Sequence, residues 1–321
     1  MRTVMNALYS VVNSTTAVEL NRLIHASESP LTPGYSALVP VKASGKDALI
    51  AYNKSLHTAD AYLLSEQSPW ILNSKKSIDL DLPAKSNDPD ACWESLNAFT
   101  LGNEPYLMAY ESKHGTFGFF KIHPDLSISK PYIFSLIRNA PTQGFTSVGI
   151  YNSLNQIFFT GYDANTGVVA NFSLVVTAVS PEGTAPLQAL NVWYHRWAKG
   201  WRNFAFFQLG GSNFFFKINT AKLNVNIDHM QDNPAMGSIE VGSYLQSQLP
   251  NALQVTNAAC IPWAGGEPYL ITYVSNTGTT NIYRIHSDCL GWSSVASTTT
   301  PNNSSQMVTY RIKDESFVLF Y

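Results

Sequence analysis

Charge is what this chain has least of. Asp, Glu, Lys and Arg make up 13% of its 321 residues, about half the roughly 25% of an ordinary soluble domain. The formal net charge is −2, with no basic stripe and no run of like charges, so nucleic acid and anionic membrane are poor partners. Cysteine is scarce as well. Cys92, Cys260 and Cys289 are too few for a disulfide framework, and no C-x-x-C pair offers a metal knuckle. They read as free thiols. No apolar run reaches the 18 residues of a membrane-spanning helix. Met1-Arg2-Thr3-Val4-Met5-Asn6 lacks the apolar core of a secretory signal, which leaves a protein made without a signal or one secreted after processing. No segment sustains a 3.6-residue period, which excludes helical solenoids.

Signatures of familiar chemistry are also missing. There is no G-x-S-x-G, P-loop or G-x-G-x-x-G. Carboxylates are scattered, the nearest groupings being Asp79 with Asp81, Asp88 with Asp90, and Asp314 with Glu315, whereas a glycosidase needs two opposed acids. The histidines show no H-x-H or H-E-x-x-H spacing, so neither a metal nor a cofactor is expected. Asp163-Ala164-Asn165-Thr166-Gly167 begins like a calcium loop but has no closing Glu, and a hairpin turn is the simpler reading.

What the chain does have is a repeat. Six apolar runs close on Tyr52, Tyr110, Tyr162, Ile218, Tyr273 and Tyr321. Seventeen residues before each closing residue stand Tyr35, Trp93, Phe145, Trp201, Thr256 and Ser304, three of them preceded by Gly34, Gly144 and Gly200. A period near fifty, built of short apolar runs, aromatics and turn residues, is the pattern of propeller blades. The large packed anchors Trp93, Phe145 and Trp201 read as structural.

After the closing residue comes a turn, such as Asn165-Thr166-Gly167 or Asn276-Thr277-Gly278, and then a third strand over 116–122, 168–175 and 279–285. The sixth unit stops at Tyr321, before its third strand. Residues 3–12 resemble the third strands and 17–24 can serve as the fourth. The expectation is one domain over 1–321, all-β, a six-bladed β-propeller whose closing blade is shared between the N- and C-termini and has no free sheet edge.

In a propeller the first strands line the central channel, and binding sites usually lie among the rim loops. One expected rim loop, around 193–202, holds three of the seven Trp with a His and two Arg. Tyr194, Trp197 and Trp201 can form apolar walls, while His195, Arg196 and Arg202 can donate to a carbonyl or oxyanion as catalytic groups. The same residues can equally be blade packing and solvated charge. His57 and His114 fall in second-to-third-strand turns on that rim and are further candidates for substrate binding. His123 and His286 occupy matching positions after third strands, which points to a shared structural hydrogen bond.

The tyrosine-closed second strands and shared closure resemble the fungal fucose-lectin type of six-bladed propeller. In those lectins each blade repeats an Arg, a Glu and an aromatic for one sugar, but here no Arg or Glu recurs at a fixed offset. A multivalent lectin should repeat its contacts. Some fungal propellers similar to this type act in natural-product pathways as cofactor-free cycloaddition catalysts, including hetero-Diels–Alderases. That resemblance implies a single site for an apolar, oxygenated small molecule and a cofactor-independent cyclisation, with a fucose- or glycan-binding lectin as the alternative and a protein-contact scaffold as the third reading. Self-association is left open.

Overall fold

Second strands with both faces covered should be apolar without alternation, and those of this chain are buried almost end to end. The computed structural model describes residues 7–12, 22–28, 31–67, 70–82, 87–134, 140–153, 155–176, 187–219, 221–222, 224–231, 243–248, 254–261, 268–288, 291–313 and 315–321, and every regular element among them is a β-strand. Strands β1 (Ala7–Val12) and β2 (Arg22–Glu28) come first. Then follow β3 (Ala37–Ala43), β4 (Lys46–Asn53), β5 (Thr58–Leu64) and β6 (Ile71–Ile78), which form one antiparallel sheet in that order. The next sheet comprises β7 (Ser95–Leu101), β8 (Glu104–Glu111), β9 (Thr116–Lys121) and β10 (Tyr132–Phe134). A third holds β11 (Ser147–Ser153), β12 (Gln156–Tyr162), β13 (Val168–Val176) and β14 (Leu187–Arg196). The fourth holds β15 (Trp201–Leu209), β16 (Ser212–Asn219), β17 (Asn224–Met230) and β18 (Ser243–Gln248). In the fifth are β19 (Asn257–Ile261), β20 (Tyr269–Val274), β21 (Thr279–Ile285) and β22 (Trp292–Thr299). The last sheet, in the order β2-β1-β24-β23, joins β23 (Met307–Ile312) and β24 (Glu315–Phe320) to the two N-terminal strands.

First strands β3, β7, β11, β15, β19 and β23 pack successively on one another, and β23 returns to β3. The sheets therefore stand around a central axis as an all-β propeller, each sheet's faces covered by its neighbours.

The repeated tyrosines fasten each sheet to the next. Tyr110 Oη accepts the Phe145 backbone N–H at 3.0 Å and donates to the Thr142 carbonyl at 2.7 Å. Tyr162 does the same with Trp201 N and Ala198 O, Tyr273 with Ser304 N and Pro301 O, and Tyr321 with Tyr35 N and Thr32 O. Tyr52 accepts from Trp93 N, and burial pushes its phenol up to about 12. Where Ile218 replaces the tyrosine, the Arg202 guanidinium reaches the Val255 carbonyl at 2.9 Å. The residue after the latch caps the turn: Asn53, Glu111 and Asp163 accept the backbone N–H groups two residues on. Glycines then bring that turn against the neighbouring entry loop. Gly167, at φ +79°, leaves no room for a side chain, since a Cβ there would lie 2.4 Å from the Trp197 carbonyl oxygen.

Gly161 has a different role. On β12 it lies beneath the ring of Phe145, which a Cβ would approach to 2.1 Å. That ring is held by Tyr110, Phe117 and Phe172 and has nowhere to retreat. Gly161→Ala is expected to destabilise by about 1–3 kcal/mol through overpacking, read as a lower denaturation midpoint; an unchanged midpoint would show that the seam yields.

Two sequence expectations need correction. The fourth strand of the closing sheet continues to Glu28, past the expected end at 24, because a partner that spans β1 pairs Val12 with Arg22 and Ala7 with Glu28; residues 1–6 and 13–21 lie outside the described residues. The segment 193–196, expected in a rim loop, belongs to edge strand β14. Its ladder with β13 continues through a bulge at Asn171–Phe172 to the pair Val168–Arg196, with Asn191 Nδ2 donating to the Asn171 and Trp193 carbonyls across the irregularity.

Candidate functional site

Around the axis the inner strands leave a cavity of about 800 Å3. Leu38, Val39, Pro40 and Val41 of β3, Leu96, Ala98 and Phe99 of β7, Tyr106 of β8 and Phe206 of β15 give it apolar and aromatic walls. Phe206 stacks on Tyr151 at 5.9 Å between centroids, and Phe99 on Tyr106 at 5.4 Å. Phe206 also depends on Gly149, where a Cβ would fall 1.9 Å from its ring. Polar groups enter from Asn97, Thr309, Arg311, Lys42, Lys313 and Asp47. Thr309 Oγ1 is committed to the Cys260 carbonyl at 2.8 Å. Asp47, Pro105 and Lys313 lie at or beside the first-to-second-strand turns, and no residue of the 31–36, 91–94 or 140–146 entry segments lines the cavity. It therefore opens away from the rim on which the sequence candidates sit.

Those candidates do not converge. Tyr194, His195 and Arg196 are exposed on edge strand β14. Trp197 and Trp201 turn inward between two sheets, where with Phe215 they surround Lys217 Nζ at 4.3, 4.7 and 5.1 Å from their centroids. Lys217 forms an ion pair with Asp228, both side chains almost fully buried. Burial pulls the Lys217 ammonium below its ordinary range and pushes the Asp228 carboxyl above its own, against the attraction between them. Arg202, spent on Val255, is likewise held below its usual range by burial. His57 lies in the β4–β5 turn and His114 in the β8–β9 turn of a different sheet, His114 Nδ1 standing 3.2 Å from Glu111.

Sequence reasoning missed two buried polar clusters. One is the caged Lys217–Asp228 pair, whose signal was a lysine inside the apolar run 214–218. The other joins the Tyr35 hydroxyl to Asp60 at 2.5 Å and to Tyr62 at 2.8 Å, with Lys75 Nζ and Ser77 Oγ also donating to Asp60. Burial opposes the Asp60 charge, but the bonds from Lys75, Tyr35 and Ser77 prevail and hold it below its ordinary range. The axial cavity had no motif at all. No group of three or more His, Cys, Asp or Glu side chains is placed to hold a metal among the described residues.

No protein-family model and no curated protein matches the sequence. Solved structures do match in shape. A 6-phosphogluconolactonase-like protein from Bacteroides fragilis superposes with a TM-score of 0.53 and 11% identity over 96% of this chain and 85% of its own. An exo-β-1,3-galactanase from Phanerochaete chrysosporium, in a variant with β-1,3-galactotriose, gives a TM-score of 0.50 and 9% identity over 91% of this chain and 71% of its own. At such identities the likeness establishes the all-β propeller arrangement.

Proposed function

We propose that this chain binds one small molecule, an apolar body with an oxygen-bearing end, in the axial cavity, and that the chemistry done there is a cofactor-independent ring closure of the cycloaddition type. The observation that carries the reading is the cavity on the axis, walled by Leu, Val, Phe and Tyr side chains from four sheets and lined by Lys42, Arg311 and Lys313 toward one end. A cyclisation asks a protein to fold the reacting parts together and to polarise a carbonyl as charge develops. Apolar walls supply the first and Arg311 with the two lysines the second. The lectin alternative asks for several equivalent sugar sites, yet the tyrosines that carried that resemblance spend their hydroxyls between sheets.

Titration with the neutral fluorophore N-phenyl-1-naphthylamine is expected to show one site per chain. Thr100→Trp, at an exposed lining position, is expected to block it without changing the melting temperature. Binding indifferent to that substitution overturns the proposal, and several equivalent monosaccharide sites on a glycan array would put the lectin in its place.

A further inference from the structure

Two neutral polar groups of the cavity wall have spent their hydrogens and kept their lone pairs. Asn97 of β7 and Thr309 of β23 both line the cavity and are half-buried, one on each side of β3, which packs on both strands. The Asn97 amide Nδ2 donates to the Ser95 hydroxyl oxygen at 3.2 Å and to the Val148 carbonyl of the next sheet at 3.4 Å. A carbonyl oxygen only accepts, so the nitrogen is the amide atom that faces Val148; turned over, the amide would set Oδ1 against that carbonyl. What is left is Oδ1, an acceptor with two lone pairs, and among the described residues nothing donates to it. Thr309 repeats the arrangement. Its one hydroxyl hydrogen goes to the Cys260 carbonyl at 2.8 Å, so toward a ligand its oxygen can only accept. The phenols of Tyr106 and Tyr310 also line the cavity but can donate or accept, so they do not choose between ligands. Around the two acceptors the wall is hydrocarbon, with Leu96 and Ala98 flanking Asn97 in β7 and Pro40 of β3 bringing no N–H.

From this we infer that the ligand of the cavity carries hydroxyl or N–H donors on its apolar body, met by Asn97 Oδ1 and Thr309 Oγ1, and that these two residues select it over analogues of the same shape without a donor. A ligand lacking the donor would cover Asn97 Oδ1 and leave it unmet, and a site built to bond a hydroxyl rejects the analogue that has none. This rests on the axial cavity being the binding site, and the experiment separates the two claims. It is a competition on the full chain against N-phenyl-1-naphthylamine, with three competitors on one naphthalene framework: 1-naphthol donates and accepts, 1-naphthaldehyde only accepts, and 1-methylnaphthalene does neither. The fluorophore's own affinity is measured first on every variant, so that each displacement is read as a dissociation constant, and Thr100→Trp reports whether it sits in the cavity.

1-Naphthol is expected to bind about tenfold tighter than either analogue. The double variant N97L/T309V replaces both acceptors with hydrocarbon of similar size. It is expected to bring 1-naphthol level with 1-methylnaphthalene while leaving the affinity for 1-methylnaphthalene within about twofold of the wild type. If the double variant fails to fold, the ranking of the three competitors on the wild type decides by itself. An analogue that binds as tightly as 1-naphthol, or an advantage of 1-naphthol that survives N97L/T309V, overturns the donor and leaves the cavity standing. A fluorophore that does not bind, or that binds Thr100→Trp equally well, removes the cavity and the donor with it.

Discussion

Replacing Lys217 with methionine is expected to lower the melting temperature by on the order of 10 °C. Its ammonium faces Asp228 under the rings of Trp197, Trp201 and Phe215, with both charged side chains almost fully buried. Methionine keeps the volume but abandons a carboxylate in a dry seam, and breaking a buried pair by removing one partner costs about 3–5 kcal/mol. The loss depends on pH in a definite direction. Burial already raises the Asp228 carboxyl, and without Lys217 it rises further, so the folded variant binds a proton that the unfolded chain, at about 3.9, does not. A folded carboxyl raised above its unfolded value makes stability grow as pH falls, from the folded value down to about 3.9. The variant should therefore regain ground on the wild type in mild acid. Removing both charges with K217M/D228L is expected to be neutral or stabilising by about 1–4 kcal/mol. Thermal melts across pH decide it: a K217M variant that melts with the wild type would mean the pair is not dry.

Tyr110→Phe is expected to produce the next largest loss. The deleted hydroxyl leaves the Phe145 N–H and the Thr142 carbonyl buried without their partner, and each abandoned group costs about 1–3 kcal/mol. The ring remains, so its packing against Phe117 and Phe145 is kept. Tyr194→Phe is the matched control, because that tyrosine is 59% exposed. Denaturant midpoints compare the two, and equal midpoints would reduce the latch to decoration.

These two sites mark how far the sequence could be read. The constant count of 17 from Phe145 to Tyr162, or from Tyr35 to Tyr52, was visible because it is the length of a first-strand hairpin closed by one bond, Thr146 N to Tyr162 O or Ser36 N to Tyr52 O. Hairpin register is local, so it leaves a fixed interval in the chain. The tyrosines were legible as a repeat, but their purpose was not: Tyr110, Tyr162 and Tyr52 act across a seam on residues 35, 39 and 41 positions away. The 193–202 cluster drew attention by composition alone. Its Trp197 and Trp201 cage a lysine that belongs to another strand, a partnership no spacing announces. Least legible was the cavity, where Leu38, Leu96, Phe206 and Arg311 meet only because the ring closes.

That ring works like a hoop. Each tyrosine grips the sheet ahead of it, and the grip of Tyr321 on Tyr35 passes the tension back to the start. A hoop fixes its own bore: the spacing of the inner strands is set at the seams, near the rim, and not by whatever fills the middle. A guest bound as proposed would find the walls already placed, and little of its binding energy would be diverted to assembling them. At the joint beside Ile218, where Arg202 stands in for a tyrosine, the hoop has a link of different make: a guanidinium on the Val255 carbonyl.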